Sequence, residues 1–409
     1  MSGTYELSPL DTFVLSIIVL FVGMTITRKG KILKKYNIPP AVTGGLICAI
    51  VIAAISLIFD IRIRFDMQIR DFLLLTFFSC IGLGAKVEHL RAGGKALAIL
   101  VGVAAVFLVL QDVVGIALAW AFGGHPALGV IAGSASFAGG HGTAIAWGQV
   151  AEAHGLARAE EFGIALATLG LITGGLIGGP IAGRLIEKNN LQAESTSSSK
   201  AIKTKEDPWT ATVQLPDVLG AMLALAICIE AGSMANRFLL TRGILLPGFL
   251  TSMMVGILLT NLADVVKFRI SQGAVDRAGE ISLNLFLVMS LMAMNLIALA
   301  NAAGPLLIIV LVQMLVITLF VIRIVFKVMG KDYDAAVICS GFAGLGLGAT
   351  PVAIANMSAI TGKYGPSPKA FLVVPLIGAF FIDILNAGII RGFLFLIVHF
   401  VGVPEIPTG

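Results

Sequence analysis

The chain has 409 residues, of which 57% are hydrophobic and 12% are charged, and its mean hydropathy is +0.98. Soluble domains carry about 25% charged residues, and a chain this apolar could not hide its surface from water, so a soluble globular protein is excluded. The formal net charge of +5 does not call for a nucleic-acid partner, because basic residues collect in the cytoplasmic loops of membrane proteins. The composition therefore predicts a multi-spanning protein of the lipid bilayer.

Long apolar runs without alternation predict helices rather than barrel strands, and about 20 residues are needed to cross the bilayer core. Ten segments are predicted to cross: 11–27, 37–59, 70–88, 96–121, 162–183, 216–238, 244–263, 279–300, 305–326 and 370–391. Two further apolar stretches, 129–150 and 334–357, are interrupted by glycines. A polar, serine-rich linker at 187–215 separates five crossings from five. We therefore expect an all-α membrane protein with an N-terminal half, 1–186, and a C-terminal half, 216–409.

The distribution of Lys and Arg predicts the orientation of the chain. If 129–150 and 334–357 enter the membrane without crossing it, the loops on one side hold 21 of the 28 Lys and Arg residues. Basic loops face the cytoplasm, which places the linker inside and both termini outside, in the periplasm or extracellular space. A full crossing by 129–150 would move the basic linker to the wrong side. Both stretches are therefore predicted to be re-entrant hairpins, the first entering from outside and the second from inside.

The two halves resemble each other in sequence. The run LVLQ ending at Gln111 matches VLVQ ending at Gln313, and FAGGHGTAIA from Phe137 matches FAGLGLGATPVAIA from Phe342. Because each half has an odd number of crossings, the second half is predicted to be inverted relative to the first. Inverted repeats with broken helices at corresponding positions are typical of secondary transporters, and we expect the binding site where the two breaks approach each other.

The first hairpin contains the sequence SFAGGHGTAIAW, and we predict a polar break in it over Gly139–Thr143. Glycines let the backbone turn sharply and expose N–H groups, and a helix that starts at such a break directs its positive end at an anion. The predicted substrate contacts here are Ser136, Gly140, His141, Gly142 and Thr143. Close helix packing would also select glycine pairs, but two symmetric breaks with polar side chains favour a site.

The second hairpin contains GFAGLGLGATPVAIANM, from which Gly348, Thr350 and Asn356 are the candidate substrate contacts. Pro351 has no N–H group, so a helix can begin at this point but cannot continue through it without adjustment. A dinucleotide-binding fingerprint is the alternative interpretation. The glycines in GLGLG have the wrong spacing for it and lack a βαβ context, so no organic cofactor is expected.

Polar side chains inside the predicted helices are further candidates. Gln111 and Gln313 sit near the middle of symmetric helices, where each would bind either a ligand or a neighbouring helix, and the sequence leaves both open. Asp383 and Asn386 lie three residues apart on one helix face. A charge at the centre of a membrane helix costs about 2.5–3.5 kcal/mol, which predicts that these two residues bind Na⁺ or H⁺. The alternative is a structural hydrogen bond to a broken helix.

Two remaining residue types bear on other chemistry. Asp112 is a second intramembrane acid, but it adjoins Gln111 and so faces another side of that helix. His141 has no other His or Cys near it in sequence, and is predicted to form hydrogen bonds rather than to bind a metal. No Ser/His/Asp or Cys/His signature of catalysis stands out, so an enzyme is not expected.

Several stretches resemble motifs of the bacterial sodium:glutamate symporter family (ESS). They are KKYNIPPAVTGGL (34–46), FDMQIRD (65–71), LRAGGK (90–95), GGHGTAIAW (139–147), GLITGGLIGGP (170–180), MGKDYDAAV (329–337), GLGLGATPVAIANM (344–357) and FLVVPLIGAFFIDILNA (371–387). The resemblance runs over nearly the whole chain and is weak in the linker. It also departs at Asp112, where the family resemblance leads us to expect an uncharged residue.

The resemblance implies Na⁺-coupled uptake of L-glutamate across the bacterial inner membrane, by a homodimer with re-entrant loops and an elevator-like motion. The residues alone indicate only a secondary transporter of an anionic solute. A Na⁺-coupled carrier of citrate, malate or another di- or tricarboxylate is the alternative, and it would need no acceptor for an ammonium group. A channel would need a ring of charges or carbonyls, and a membrane enzyme would need a catalytic constellation.

Overall fold

The computed structural model describes residues 3–31, 33, 38–193, 214–242, 248–265, 270–294, 296 and 303–402. This part of the chain is helical, as the long apolar runs predicted, apart from one small sheet. The sheet consists of two parallel strands, β1 (Gly3–Leu7) and β2 (Ile61–Phe65), whose register pairs Gly3 with Ile61 and Leu7 with Phe65.

The helices follow in two series, one in each predicted half. The first series is α1 (Pro9–Lys29), α2 (Pro40–Phe59), α3 (Gln68–Gly84), α4 (Val87–Ala121), α5 (Pro126–Val130), α6 (Gly140–Ala153) and α7 (Ala159–Asn189). The second is α8 (Leu215–Thr241), α9 (Gly248–Val265), α10 (Gln272–Met292), α11 (Ala303–Phe320), α12 (Phe326–Val328), α13 (Tyr333–Leu347), α14 (Thr350–Tyr364), α15 (Pro368–Leu376) and α16 (Ile382–Phe400). Three π-helical turns continue α5, join α11 to α12 and join α15 to α16: Ile131–Ala135, Val321–Val325 and Ile377–Phe381. Proline occupies the first turn of α1, α2, α5, α8, α14 and α15, where its missing N–H group would have no helical partner.

Seven of the described helices are long and apolar enough to cross a membrane. They are Pro9–Lys29, Pro40–Phe59, Gly94–Ala121, Ala159–Asn189, Leu215–Thr241, Ala303–Val328 and Ile382–Phe400. Six of them coincide with predicted crossings. Of the other predicted segments, 70–88 corresponds to α3, which has only 17 residues, while 244–263 and 279–300 correspond to α9 and α10 and lie partly outside the described residues.

The last predicted crossing, 370–391, is placed differently in the structure. The chain forms α15, a π-helical turn and then α16, which continues to Phe400. The predicted end at Arg391 is wrong, because apolar residues continue on both sides of this arginine. A long arginine side chain can lie along apolar surface and still extend its charged end, so a single Arg does not mark a helix end.

The predicted linker, 187–215, lies mostly outside the described residues, which leave out 194–213. Its predicted start is too early, because α7 continues to Asn189 and ends at Asn190 in the left-handed conformation (φ 49°, ψ 43°). Asparagine tolerates this conformation at helix ends. On the far side, α8 begins at Leu215, and the backbone N–H of Gln214 donates to Asp217 Oδ2 at 3.0 Å.

The chain forms two compact units, and each unit draws on both halves of the sequence. Unit 1 comprises Met1–Gly30, Pro39–His89 and Ser198–Leu296, and thus contains α1–α3 and α8–α10. Unit 2 comprises Lys31–Ile38, Leu90–Ser197 and Ile297–Gly409, and contains most of α4 together with α5–α7 and α11–α16. Both predicted hairpins, and every candidate site residue, belong to unit 2.

Aromatic packing holds the centre of unit 2. Phe107 on α4, Phe320 on α11 and Phe342 on α13 are almost completely buried. The ring of Phe107 lies 5.0 Å from that of Phe320 and 5.6 Å from that of Phe342, between ring centroids. Such separations are favourable for aromatic pairs, so one helix of the first half is joined to two of the second.

Glycines hold α1 and α2 close together in unit 1. A Cβ atom on Gly23 would lie 2.8 Å from the backbone nitrogen of Gly44 and 3.0 Å from its Cα atom. Small residues allow this approach of helix backbones in membranes. We therefore expect any side chain larger than hydrogen at Gly23 to push α1 and α2 apart.

The variant Gly23→Ala is therefore expected to destabilise unit 1, because the backbone of α2 cannot move aside without separating the helices. Overpacking costs about 1–3 kcal/mol, so the melting temperature of the purified protein in detergent should fall by several degrees. Gly220→Ala in α8 is the matched control, since a Cβ atom there meets none of the described residues within 4 Å. Equal melting temperatures for the two variants would contradict the close contact of α1 with α2 at Gly23.

Candidate functional site

The first helix break lies at residues 136–139, between the π-helical turn after α5 and the start of α6. Gly133 within that turn has φ −108° and ψ −129°, outside the helical region. Gly140 has φ +65°, which glycine adopts without the steric penalty that a Cβ atom would bring. The break was predicted over Gly139–Thr143 and begins earlier than predicted. The residues after Gly140 instead form the first turn of α6, because a single glycine with positive φ is enough to start the helix.

The second break coincides with the predicted position. Helix α13 ends at Leu347, Gly348 and Ala349 follow, and α14 begins at Thr350 with Pro351 in its first turn. Ala349 has an extended backbone, with φ −166° and ψ 167°. Each predicted hairpin therefore contains two helices separated by a few non-helical residues.

The two breaks meet inside unit 2. A Cβ atom on Gly140 would lie only 3.2 Å from the carbonyl oxygen of Gly348. The N-cap residues of α6 and α14 are Gly139 and Ala349, whose side chains cannot form a capping hydrogen bond. Because the first N–H groups of a helix have no partner within it, and because the helix dipole is positive at this end, two uncapped helix starts side by side make an electropositive place suited to an anion.

The helix formed by α15, its π-helical turn and α16 contacts both helix starts. The hydroxyl of Thr143, in the first turn of α6, donates to Asp383 Oδ1 at 3.4 Å. A Cβ atom on Gly378, in the π-helical turn, would come 3.2 Å from Cβ of Thr350, the first residue of α14. A threonine from each break is thus held against the same element.

The two predicted ion ligands lie at the first break. Asn386 is fully buried, and its Nδ2 donates to the carbonyl oxygen of Ser134 at 3.0 Å, while its Oδ1 has no partner among the described residues. Asp383 is half-buried and accepts from Thr143. Within the described ranges, no group of three or more His, Cys, Asp or Glu side chains could hold a metal ion. A cation here would need hydroxyl, amide or backbone oxygens beside the single carboxylate, which are ligands that hard cations accept.

His141 is held by α7. Its Nε2 lies 3.0 Å from the hydroxyl oxygen of Thr168, which donates its only hydrogen to the carbonyl of Ile164 at 2.9 Å. With this hydroxyl donating to Ile164, its oxygen is free to accept a hydrogen from Nε2 of His141. His141 therefore forms a hydrogen bond to α7.

Two other predicted substrate contacts donate hydrogen bonds to backbone carbonyls of the protein. The hydroxyl of Ser136 donates to the carbonyl of Ile131 at 2.5 Å, in the π-helical turn before the break. The side-chain amide of Asn356 donates to the carbonyl of Gly174 on α7 at 2.9 Å. The structure therefore places Asn356 against α7 and away from the start of α14.

The two symmetric glutamines contact the breaks reciprocally. Gln111 on α4 donates to the carbonyl of Gly346, near the second break, at 2.7 Å. Gln313 on α11 donates to the carbonyl of Ala132, at the first break, at 3.2 Å, and to the backbone carbonyl of Gln111 at 3.0 Å. Each glutamine of one half thus holds the break of the other half. Both are fully buried, and neither Oε1 has a partner in the described part of the chain.

Sequence reasoning missed Ser134, which joins two candidate residues. Its backbone N–H donates to Asp112 Oδ1 at 2.7 Å, and its carbonyl accepts from Asn386. A serine among small residues has no pattern that sets it apart. Only Asp112 pointed to this position, since a buried carboxylate needs a hydrogen-bond donor nearby.

A cavity of about 680 Å³ lies between α7 and α14. It is lined by Gly179, Pro180, Gly183, Arg184, Glu187, Lys188, Ile360, Lys363 and Tyr364. Glu187 accepts from the hydroxyl of Tyr364 at 2.6 Å, and the Lys363 ammonium lies 3.6 Å from the same carboxylate. None of the predicted site residues lines this cavity.

Comparison with known proteins identifies relatives over almost the whole chain. A family profile described as sodium/glutamate symporter matches residues 5–366. A protein named sodium/glutamate symporter from Escherichia coli is 41% identical over 96% of this chain and 98% of its own length. One of the same name from Haemophilus influenzae is 36% identical over 95% and 97%. A solved structure of the sodium proton antiporter MjNhaP1 from Methanocaldococcus jannaschii is 14% identical, with a TM-score of 0.44, over 96% of this chain and 98% of that one.

Proposed function

Because this chain belongs to the sodium/glutamate symporter family, we propose that it couples the entry of Na⁺ to the uptake of L-glutamate across the bacterial inner membrane. The relatives are named as transporters rather than enzymes. The observation that carries the proposal is the meeting of two helix starts without side-chain caps beside a half-buried acid and a buried amide, all within unit 2.

The substrate's charges suit this arrangement. L-glutamate has two carboxylates, and each would be stabilised by one helix N-terminus. We propose that the start of α6, Gly140–Thr143, holds one carboxylate, and that Gly348 and Thr350 at the second break hold the other. Of the remaining predicted contacts, Ser136, Gln111 and Gln313 act through the backbone at or next to the breaks, because their donors already point there. Asn356 instead donates to α7.

We propose that Asp383 and Asn386 bind a coupling Na⁺ next to the first break. Each Na⁺ that enters along the membrane potential contributes about 2.3 kcal/mol per 100 mV. More than one Na⁺ per cycle would therefore offset the inward movement of an anionic substrate. The position of Asp383 against Thr143 links occupation by the ion to the start of the helix that holds the substrate.

The proposed transport motion is elevator-like. Unit 2 contains both breaks and every candidate site residue, and it is compact by itself, which supports its movement as one body with unit 1 as the scaffold. The reciprocal bonds of Gln111 and Gln313 support an inverted repeat. That both hairpins are re-entrant is proposed from the distribution of Lys and Arg. A homodimer, outside termini and a cytoplasmic linker complete the proposal, on the family resemblance and the distribution of basic residues.

A Na⁺-coupled carrier of citrate or malate would have the same architecture, so the substrate needs its own test. In proteoliposomes, uptake of labelled L-glutamate should be inhibited by unlabelled L-glutamate, but much less by 2-oxoglutarate, citrate or malate. The keto analogue retains both carboxylates and has a keto oxygen in place of the ammonium group. Na⁺-driven uptake of citrate or malate without uptake of glutamate would overturn the substrate assignment.

A further inference from the structure

The cavity between α7 and α14 in unit 2 takes no part in the proposed glutamate and Na⁺ contacts. Its volume of about 680 Å³ falls within the range of about 300–1,000 Å³ that is usual for small-molecule sites. The residues that α7 contributes lie between Gly179 and Lys188, in the last turns of a helix that is long and apolar enough to cross a membrane. The cavity therefore lies where this helix reaches one membrane surface.

Positive charge is in excess in this cavity. Of its four charged residues, Glu187 and Lys363 form an ion pair at 3.6 Å, and Glu187 also accepts from Tyr364. Arg184 and Lys188 have no acidic partner among the described residues. They lie four residues apart on one face of α7, where like charges destabilise a helix. An anion bound beside both would remove this repulsion.

The end of α7 explains only one of these two cations. Lys188 lies in the last turn of the helix, where a positive charge interacts favourably with the helix dipole. Arg184 lies one turn earlier, and the effect of the dipole falls off within the last turn. A ligand in the cavity would account for both positions.

Two glycines keep the cavity open. Gly179 and Gly183 lie inside α7, where glycine is less favourable than alanine. A Cβ atom on Gly179 would meet none of the described residues within 4 Å, and one on Gly183 would meet only the Tyr364 hydroxyl, at 3.7 Å. Close helix packing therefore does not require glycine at either position, whereas an occupant of the cavity would.

An apolar strip leads from the charges towards the middle of the helix. Leu176, Pro180 and Arg184 follow at intervals of four residues and so share one face of α7. Leu176 is 44% exposed, and Pro180 is also exposed. A free phosphate or dicarboxylate would use only the charged end of this strip, whereas a phospholipid joins an anionic phosphate to apolar chains. The proposed orientation places this end of α7 in the cytoplasm, where basic pockets between membrane helices bind anionic headgroups.

We propose that Arg184 and Lys188 bind the phosphate group of an anionic phospholipid, whose headgroup occupies the cavity between α7 and α14. Its acyl chains would lie along Leu176 and Pro180. This site goes beyond the proposed transport of glutamate and is separate from the helix breaks. A bound lipid would hold α7 against α14, the helix that begins at the second break, and would thereby stabilise unit 2.

Three variants test the site with little disturbance of the fold. Arg184→Gln and Lys188→Gln each remove a charge that has no acidic partner in the described ranges, and Gly179→Leu fills the cavity without changing its charge. The matched control is Lys327→Gln, which removes an exposed charge from α12, elsewhere in unit 2.

The measurement is the rise in melting temperature of the delipidated full-length protein in a neutral detergent when phosphatidylglycerol is added. Phosphatidylcholine, inorganic phosphate and L-glutamate are added in parallel experiments. Binding to the folded state raises the melting temperature, so the assay reports the ligand without requiring transport.

Phosphatidylglycerol should raise the melting temperature of the parent protein and of Lys327→Gln by several degrees, and phosphatidylcholine should have much less effect. Arg184→Gln and Lys188→Gln should each weaken the apparent affinity for phosphatidylglycerol by about fivefold. This corresponds to about 1 kcal/mol, the usual contribution of one basic residue at an anionic lipid surface. Gly179→Leu should abolish the response, and without lipid it should melt no lower than the parent protein, because leucine favours a helix more than glycine does.

Equal responses of the parent protein to the two lipids would overturn the site, and so would an unchanged response to phosphatidylglycerol in both charge variants. Stabilisation by inorganic phosphate or L-glutamate that the charge variants lose would identify a soluble anion as the ligand and overturn the lipid. If Gly179→Leu does not fold, Arg184→Gln and Lys188→Gln decide. A parent protein that takes up no glutamate would refute the proposed function, and the melting comparison would still decide whether the cavity binds lipid.

Discussion

Replacing Gly140 by alanine is expected to reduce glutamate uptake by at least about tenfold while leaving the protein folded. Gly140 has φ +65°, and an L-residue in this conformation costs about 1–2 kcal/mol. The new Cβ atom would lie 3.2 Å from the carbonyl oxygen of Gly348, so the two breaks would have to move apart. The helix starts that are proposed to hold the two carboxylates would then no longer fit one substrate molecule.

The matched control for this variant is Gly123→Ala. Gly123 also has positive φ (+74°), but within 4 Å a Cβ atom there meets no atom in the part of the chain that the structure describes. Both variants carry backbone strain, so both should lose a similar amount of thermal stability, and only Gly140→Ala should lose uptake. If uptake falls equally in the two variants, backbone strain causes the loss. That result would contradict the role of the contact between the breaks.

Asp383→Asn is expected to remove most of the Na⁺ activation of uptake, with a fall of at least about tenfold in rate at saturating glutamate. Asparagine keeps an oxygen to accept from Thr143, whose hydroxyl lies 3.4 Å away, so the local packing should remain. The negative charge is lost, and with it the strongest attraction for a cation in this place. Because a charge inside a membrane helix is costly, the variant should melt no lower than the parent protein when Na⁺ is absent.

The control for charge removal is Glu280→Gln. Glu280 is exposed on α10 in unit 1, so its loss changes the net charge by the same amount without altering unit 2. Uptake and its Na⁺ dependence should be measured for both variants at matched protein content in the liposomes. Normal Na⁺ activation in Asp383→Asn would refute its role as an ion ligand.

The sequence located the second break more accurately than the first. Pro351 cannot donate an N–H group, so the start of α14 follows from covalent chemistry. The first break has no proline, and glycine is compatible with a turn or with a helix. Whether a given glycine turns or continues the helix depends on its contacts, such as the approach of Gly140 to Gly348. The break therefore begins earlier in the chain than Gly139–Thr143.

Other features depended on tertiary structure. The symmetry of Gln111 and Gln313 was visible in the sequence, but the choice between a ligand and a neighbouring helix was not, because both would repeat with the symmetry. The structure supplies the backbone carbonyls that they bind. Likewise, hydropathy could not place the end of α16 at Phe400, since the residues on both sides of Arg391 are equally apolar. The composition of the two units depends on long-range packing, which no local pattern contains.

The most direct test is uptake of labelled L-glutamate into proteoliposomes of the purified full-length protein, with and without an inward Na⁺ gradient. Uptake should require the Na⁺ gradient, increase with an inside-negative membrane potential and be released by excess unlabelled L-glutamate. Glutamate uptake that is equally fast when choline replaces Na⁺, or no glutamate uptake under any gradient, would contradict the assignment of a Na⁺-coupled glutamate site to the two helix breaks.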